Sequence, residues 1–159
     1  MPEKKLDRLA MIGIMEKSVE LTNSFQKTLD MSARRTDEDY AWNVVIPALG
    51  QITDYLTVST NDIEFCKIFY SLILAHTNAA DESFNYSAGT VYYKNPALVE
   101  KTLLLFSVGD QKTLVLLISG GMESLEWESK NDSSFENKPP FEIQNARFKK
   151  LMQKYKITP

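Results

Sequence analysis

The spacing of the apolar residues changes near residue 83, and this change constrains the fold more than any other feature of the sequence. Before it, apolar side chains recur at intervals of three and four, as they do in amphipathic helices. After it, they form short alternating or continuous runs separated by Asn95-Pro96, Gly109-Asp110 and Gly120-Gly121, dipeptides typical of turns. We therefore expect helices first and β-strands afterwards.

The first part of the chain, residues 5–80, is predicted to form three helices. Charged residues opposite an apolar stripe from Leu6 to about Met31 indicate one long amphipathic helix. The second helix contains Pro47, so it is expected either to kink there or to begin there. The third, from Asn61 to about Ala80, is almost entirely apolar and is predicted to be the central buried helix. One face of the second helix is expected to carry Trp42, Val45, Leu49, Ile52 and Leu56.

The remainder is predicted to form a sheet and one last helix. Residues 83–128 read as a four-stranded antiparallel meander, residues 129–140 as an acidic loop and residues 141–156 as a C-terminal helix. The expected fold class is therefore α+β, with helices packed on one sheet in two layers, within a single domain of residues 1–159.

The two middle strands of this predicted sheet are apolar on both faces. Their leucines include Leu103, Leu105, Leu116 and Leu117. A row of exposed leucines is costly in water, so something must cover the second face. Either the C-terminal helix crosses it or two copies of the chain meet there. A single helix is narrow for such a face, and the pattern favours a homodimer, with another protein as the alternative partner.

Composition narrows the classes of partner. The chain has 43% hydrophobic and 25% charged residues, as globular proteins do. Its net charge of −3 argues against nucleic acid as the main partner, although Arg34, Arg35 and the Lys-rich terminus are the places where it would bind. The single cysteine excludes an internal disulfide framework and a thiolate zinc cluster. Without an apolar run of membrane-spanning length, we expect a soluble cytoplasmic protein that does not contact membranes.

The candidate catalytic residues are His76, the only histidine, and the nearby carboxylates Asp81 and Glu82. An imidazole beside a carboxylate can act as a general base or bind a metal ion. The alternative is a histidine that caps the end of a helix. Cys66 precedes His76 by ten residues in the same predicted helix, about 15 Å, which is too far for a nucleophile and its base. The pattern predicts neither a metal ion nor a cofactor.

Two further groups of residues are candidates for binding. Aromatic side chains on or beside the predicted strands line a pocket or simply pack in the core: Tyr86, Tyr92, Tyr93 and Trp127. The last helix is basic and follows an acidic stretch at residues 123–136, which indicates either a docking surface for an acidic partner or an ordinary solvated face. Its basic residues are Arg147, Lys149, Lys150 and Lys154.

These observations lead to two hypotheses about function. The first is a non-enzymatic intracellular module for protein interaction or regulation, which associates with itself through the apolar sheet face. The second is a small-molecule-binding protein or a cofactor-free enzyme with a pocket between helices and sheet. The absence of a phosphate-binding or nucleophile-elbow motif favours the first hypothesis.

Overall fold

The computed structural model describes residues 4–58, 61–77 and 81–158, and these residues form helices and no strand. The α+β prediction is therefore wrong. The region expected to hold the four-stranded sheet, residues 83–128, folds into helices α5 and α6 and most of α7. The helices are α1 Arg8–Thr28, α2 Met31–Tyr40, α3 Ile46–Thr57, α4 Ile63–Ala75, α5 Ser83–Lys94, α6 Pro96–Leu103, α7 Val108–Asn131 and α8 Phe141–Lys154.

Of the dipeptides that suggested turns, Asn95-Pro96 is the junction between α5 and α6, whereas Gly109-Asp110 and Gly120-Gly121 lie within α7. Pro96 is the first residue of α6, where a missing N–H costs nothing. Ser107 caps α7, its hydroxyl accepting a hydrogen bond from the Asp110 N–H at 3.2 Å, so Gly109 lies in the first helical turn. Gly120 and Gly121 are in the middle of α7. Buried side chains of α7 recur at intervals of three and four, a period hidden by the apolar residues between them: Gln111, Leu114, Val115, Ile118, Met122 and Leu125.

Gly89 of α5 and Gly121 of α7 bring the backbones of these two helices into contact. A Cβ atom on Gly89 would lie 2.6 Å from the carbonyl carbon of Gly121. A Cβ atom on Gly121 would collide with the backbone oxygen of Asn85 and lie 2.9 Å from the Cα atom of Gly89. Both glycines are buried, and the contact of α5 with α7 is the most extensive between any two described helices. Both glycines serve close helix packing, and the turn predicted at Gly120-Gly121 is wrong.

The helices in the first part of the chain agree better with the prediction from the sequence. A helix is present where the long amphipathic one was predicted, and α4 is the buried helix, packed against α1, α6 and α7. Its predicted end at Ala80 lies outside the described residues.

A bidentate ion pair joins Arg8 at the start of α1 to Asp62, with the Arg8 Nε atom 2.7 Å from Asp62 Oδ2. Asp62 also caps α4 and accepts a hydrogen bond from the Tyr55 hydroxyl at 2.6 Å, which joins the ends of three helices.

A π-helical segment, Ala41–Val45, joins α2 to α3 without a break. The Ile46 N–H, which follows this segment, bonds five residues back to the Ala41 carbonyl, and Pro47, the next residue, has no N–H to donate. The wider turn changes which side chains face the core. Trp42 is 59% exposed, while the other members of its predicted face, Val45, Leu49, Ile52 and Leu56, are buried.

Replacing Gly121 with alanine tests the close helix contact. We expect Gly121→Ala to lower the free energy of unfolding by about 2–3 kcal/mol, because backbone atoms must separate to admit a methyl group. The matched control is Gly50→Ala in α3, where nothing lies within 4 Å of the added Cβ atom. That change should stabilise the fold by about 0.5–1 kcal/mol through helix propensity. Urea unfolding followed by circular dichroism measures both. An equal change in the free energy of unfolding for the two substitutions would contradict the close backbone contact between α5 and α7.

Candidate functional site

A cleft of about 320 Å³ opens between four segments that are distant in the sequence. Its walls are the C-terminal part of α1, α2 with the π-helical segment, the end of α4 and the start of α5. The cleft is lined by apolar and aromatic side chains and by several polar groups, including the predicted candidates His76 and Asp81. The third predicted candidate, Glu82, is exposed and lies outside the cleft.

His76 lies at the inner side of this cleft. It follows the last residue of α4 and is 8% exposed. Its Nε2 atom is 2.8 Å from the Ser18 hydroxyl of α1, and its ring stacks on Phe84 of α5 with centroids 4.2 Å apart and planes 6° from parallel. Within the described residues Nδ1 has no hydrogen bond. Among these residues the protein therefore holds the ring through Nε2 alone.

Burial lowers the pKa of His76, and the negative charge of Asp37 partly opposes this shift. The imidazole is therefore neutral at pH 7. The stabilisation linked to this neutral ring is present above the unfolded-state pKa of about 6.5 and is lost as the pH falls towards the lower folded-state pKa. Asp37 itself is held by Thr22 of α1, whose hydroxyl donates to Asp37 Oδ1 at 2.7 Å.

Charged side chains along the cleft are unevenly balanced. Arg34 forms an ion pair with Glu38, one turn later in α2, with 2.8 Å between Arg34 Nε and Glu38 Oε1. Asp81 Oδ1 accepts a hydrogen bond from the Ser83 N–H at 2.7 Å, at the start of α5. Neither Asp37 nor Asp81 pairs with a cationic side chain among the residues that the structure describes. Two carboxylates therefore remain unbalanced in the cleft.

The geometry does not support nucleophilic catalysis by Ser18 or Cys66. Ser18 and His76 have the separation of a nucleophile and its base, but Ser18 is 1% exposed and does not line the cleft, so a substrate cannot reach it. The Cys66 thiol is fully buried, and burial raises its pKa to about 12, which leaves it protonated and unreactive. Among the described residues, no group of three histidine, cysteine or acidic side chains is placed to hold a metal ion.

The structure does not bring the four predicted pocket aromatics together. Tyr92 and Tyr93 are buried in α5, where Tyr92 packs edge-on against Phe148 of α8. Tyr86 is partly exposed and donates a hydrogen bond to Glu128 at 2.9 Å. Trp127 is 64% exposed on α7. The sheet on which these residues were expected to form a pocket does not exist.

The leucines of the predicted interface are also separated. Leu103 is fully buried at the end of α6. Leu105 and Leu116 are each 51% exposed, and Leu117 is half-buried. Since no strand forms in residues 83–128, the continuous apolar sheet face that suggested a homodimer is absent. The homodimer itself stays a prediction.

Most of the predicted basic surface lines a second feature, a groove of about 450 Å³ between α6 and α8. Arg147 forms an ion pair with Glu100 of α6, with 2.8 Å between the closest nitrogen and oxygen. Lys150 and Lys154 lie one turn apart along the same groove, whereas Lys149 is exposed outside it.

Sequence reasoning missed the residues that hold His76 in place. Ser18 and Thr22 continue the buried stripe of α1 that begins with Met11 and Met15. Hydroxyl groups within an apolar stripe are a signal that a polar partner lies opposite, although the sequence does not say which one. The partner of Ser18 is His76, 58 residues away.

Comparison of the chain with protein-family models, with curated proteins and with solved structures returns no match. None of the described helices combines the length and the apolar character needed to cross a bilayer.

The titration of His76 tests the electrostatics of the cleft. Because the chain has one histidine, NMR follows a single imidazole resonance as the pH changes. We expect a pKa below the ordinary value for histidine, and a still lower pKa in Asp37→Asn, since the carboxylate of Asp37 favours the protonated ring. Asp39→Asn is the control, because Asp39 is an exposed residue of α2 that does not line the cleft. A pKa that rises in Asp37→Asn would refute the arrangement.

Proposed function

We propose that this chain is a small-molecule-binding protein and that its ligand occupies the cleft beside His76. The observation that carries this proposal is the imidazole itself, which is 8% exposed and held by the protein at Nε2 alone. His76 lines the cleft, and a ring nitrogen that has no hydrogen bond among the described residues is suited to a ligand group. The hydrogen bond to Ser18 and the stacking on Phe84 fix the direction in which that nitrogen points.

The shape and lining of the cleft support the same proposal. Its volume of about 320 Å³ is at the lower end of the range for ligand pockets, so the ligand is compact. Phe25, Trp42 and Phe84 supply aromatic surface around a few polar groups, the usual composition of such sites. Trp42 lies in the π-helical segment, and such segments are frequent at functional sites. We place this activity in the cytoplasm, since the one cysteine is a buried free thiol.

The fluorescence of Trp42 provides the test. The chain has two tryptophans, so Trp127→Phe leaves Trp42 as the only one. We expect compact aromatic and aliphatic fragments to change its emission in a saturable way and to shift the His76 imidazole resonance at the same concentrations. Trp42→Phe, which retains Trp127, is the control and should give no emission change. A broad fragment set that affects neither reporter would contradict the proposal.

A second candidate function, protein interaction, has support from the groove between α6 and α8. Four cationic side chains and one anionic side chain line it, and Leu104, which is 62% exposed, adds apolar surface. Positive charge spread along two turns of α8 is suited to several negative charges on one partner. We therefore assign this groove to an acidic protein segment with apolar anchor residues.

A charge reversal in the groove tests this second candidate. The probe is a fluorescent amphipathic peptide with glutamates one helical turn apart and leucines between them. We expect Lys150→Glu combined with Lys154→Glu to weaken its binding about tenfold or more, because both substitutions replace attraction with repulsion. Lys149→Glu, on the same helix but outside the groove, should have little effect. Fluorescence anisotropy measures each affinity. An equal loss of peptide affinity in the double variant and in Lys149→Glu would rule out the groove as the binding site.

A further inference from the structure

We infer that the ligand of the His76 cleft is a compact organic cation, an amine with an aromatic or aliphatic body. This inference rests on the proposed function and adds the chemical class of the ligand. The charges and the aromatic surface of the cleft carry this inference. The position of His76, which carries the proposed function, is a separate observation.

The balance of charge in the cleft favours a cation. The ion pair with Glu38 compensates the positive charge of Arg34, whereas Asp37 and Asp81 have no cationic partner among the described residues. Each uses Oδ1 to accept a hydrogen bond from a neutral donor, Thr22 for Asp37 and the Ser83 N–H for Asp81. The Oδ2 atom of each has no hydrogen bond within the described part of the chain. An ammonium group can donate to these oxygens, while a carboxylate or phosphate would be repelled.

Aromatic surface provides the second component. Trp42 lines the cleft and is 59% exposed, so a large part of its indole ring is accessible there. The face of an indole ring attracts a cation and also packs against a hydrocarbon body. Phe84 is only 2% exposed and stacks on His76, so Trp42 and the partly exposed Phe25 supply most of the accessible aromatic surface of the cleft. Carboxylates beside open aromatic faces are the elements of an amine-binding site.

The state of His76 is compatible with a cationic ligand. The imidazole is neutral, so it adds no positive charge that would repel an amine. In the tautomer in which Nε2 donates to the Ser18 hydroxyl, Nδ1 is a hydrogen-bond acceptor and can receive an N–H of the ligand. A cleft with three acceptors and no uncompensated cation among its described residues selects a donor-rich, positively charged group.

Three compounds of nearly equal size test the inference: 2-phenylethylamine, 2-phenylethanol and 3-phenylpropanoate, which are cationic, neutral and anionic at pH 7.5. Isothermal titration calorimetry on the full chain measures each affinity. We expect the amine to bind about tenfold or more tightly than the alcohol, because charge-assisted hydrogen bonds exceed neutral ones in strength. We expect no measurable binding of the anion.

Substitution of the carboxylates separates charge from shape. In Asp37→Asn combined with Asp81→Asn, the preference for the amine over the alcohol should fall to about one, while the alcohol binds as before, since amides keep the size but lose the charge. Asp39→Asn is the matched control and should keep the preference. Circular dichroism confirms that each variant is folded. The single variants Asp37→Asn and Asp81→Asn should each show a reduced preference for the amine over the alcohol.

The outcomes distinguish this inference from the proposed function. Binding of the alcohol or the anion as tightly as the amine overturns the cationic class and leaves ligand binding by the cleft intact. A preference for the amine that survives loss of both carboxylates also overturns it. If none of the three compounds binds, the inference fails, and the fragment experiment with Trp42 decides the proposed function separately.

Discussion

The backbone contact between Gly89 and Gly121 is the constraint on which the rest of the structure depends. It lets α5 and α7 approach more closely than any side chain would permit, and the most extensive helix contact of the fold follows from it. With α5 held in this way, its first turn presents Phe84 to the end of α4, where His76 stacks on it. The glycine contact in the middle of α5 and the His76 contact in its first turn thus belong to the same helix.

His76 shows how the same packing creates both stability and a site. Removing an imidazole from water costs free energy, and the hydrogen bond with Ser18 and the ring contact with Phe84 offset part of that cost. The surrounding helices exclude water from most of the ring yet leave the cleft open on one side. The neutral state of the imidazole is a consequence of this burial, and its orientation is a consequence of these two contacts.

The cleft and the groove have opposite electrostatic character. Around His76 the unbalanced charges are the carboxylates of Asp37 and Asp81, whereas the groove between α6 and α8 has an excess of lysine and arginine side chains. The charges near the two surfaces therefore differ in sign, although the whole chain has a net charge of only −3. Net charge gives no indication of either local surface.

The sequence by itself determined the helices whose pattern is purely local. The amphipathic stripe of α1, the apolar length of α4 and the helical spacing of α8 identify these elements without knowledge of their neighbours. Only the tertiary structure decided that α5, α6 and α7 are helices, because their glycines and Asn95-Pro96 resemble turns until the opposing backbone is seen. The cleft likewise depends on contacts between distant segments, such as Ser18 with His76, which local spacing does not encode. Local periodicity reflects the hydrogen bonding and the exposed face of one helix, whereas packing depends on which surfaces meet.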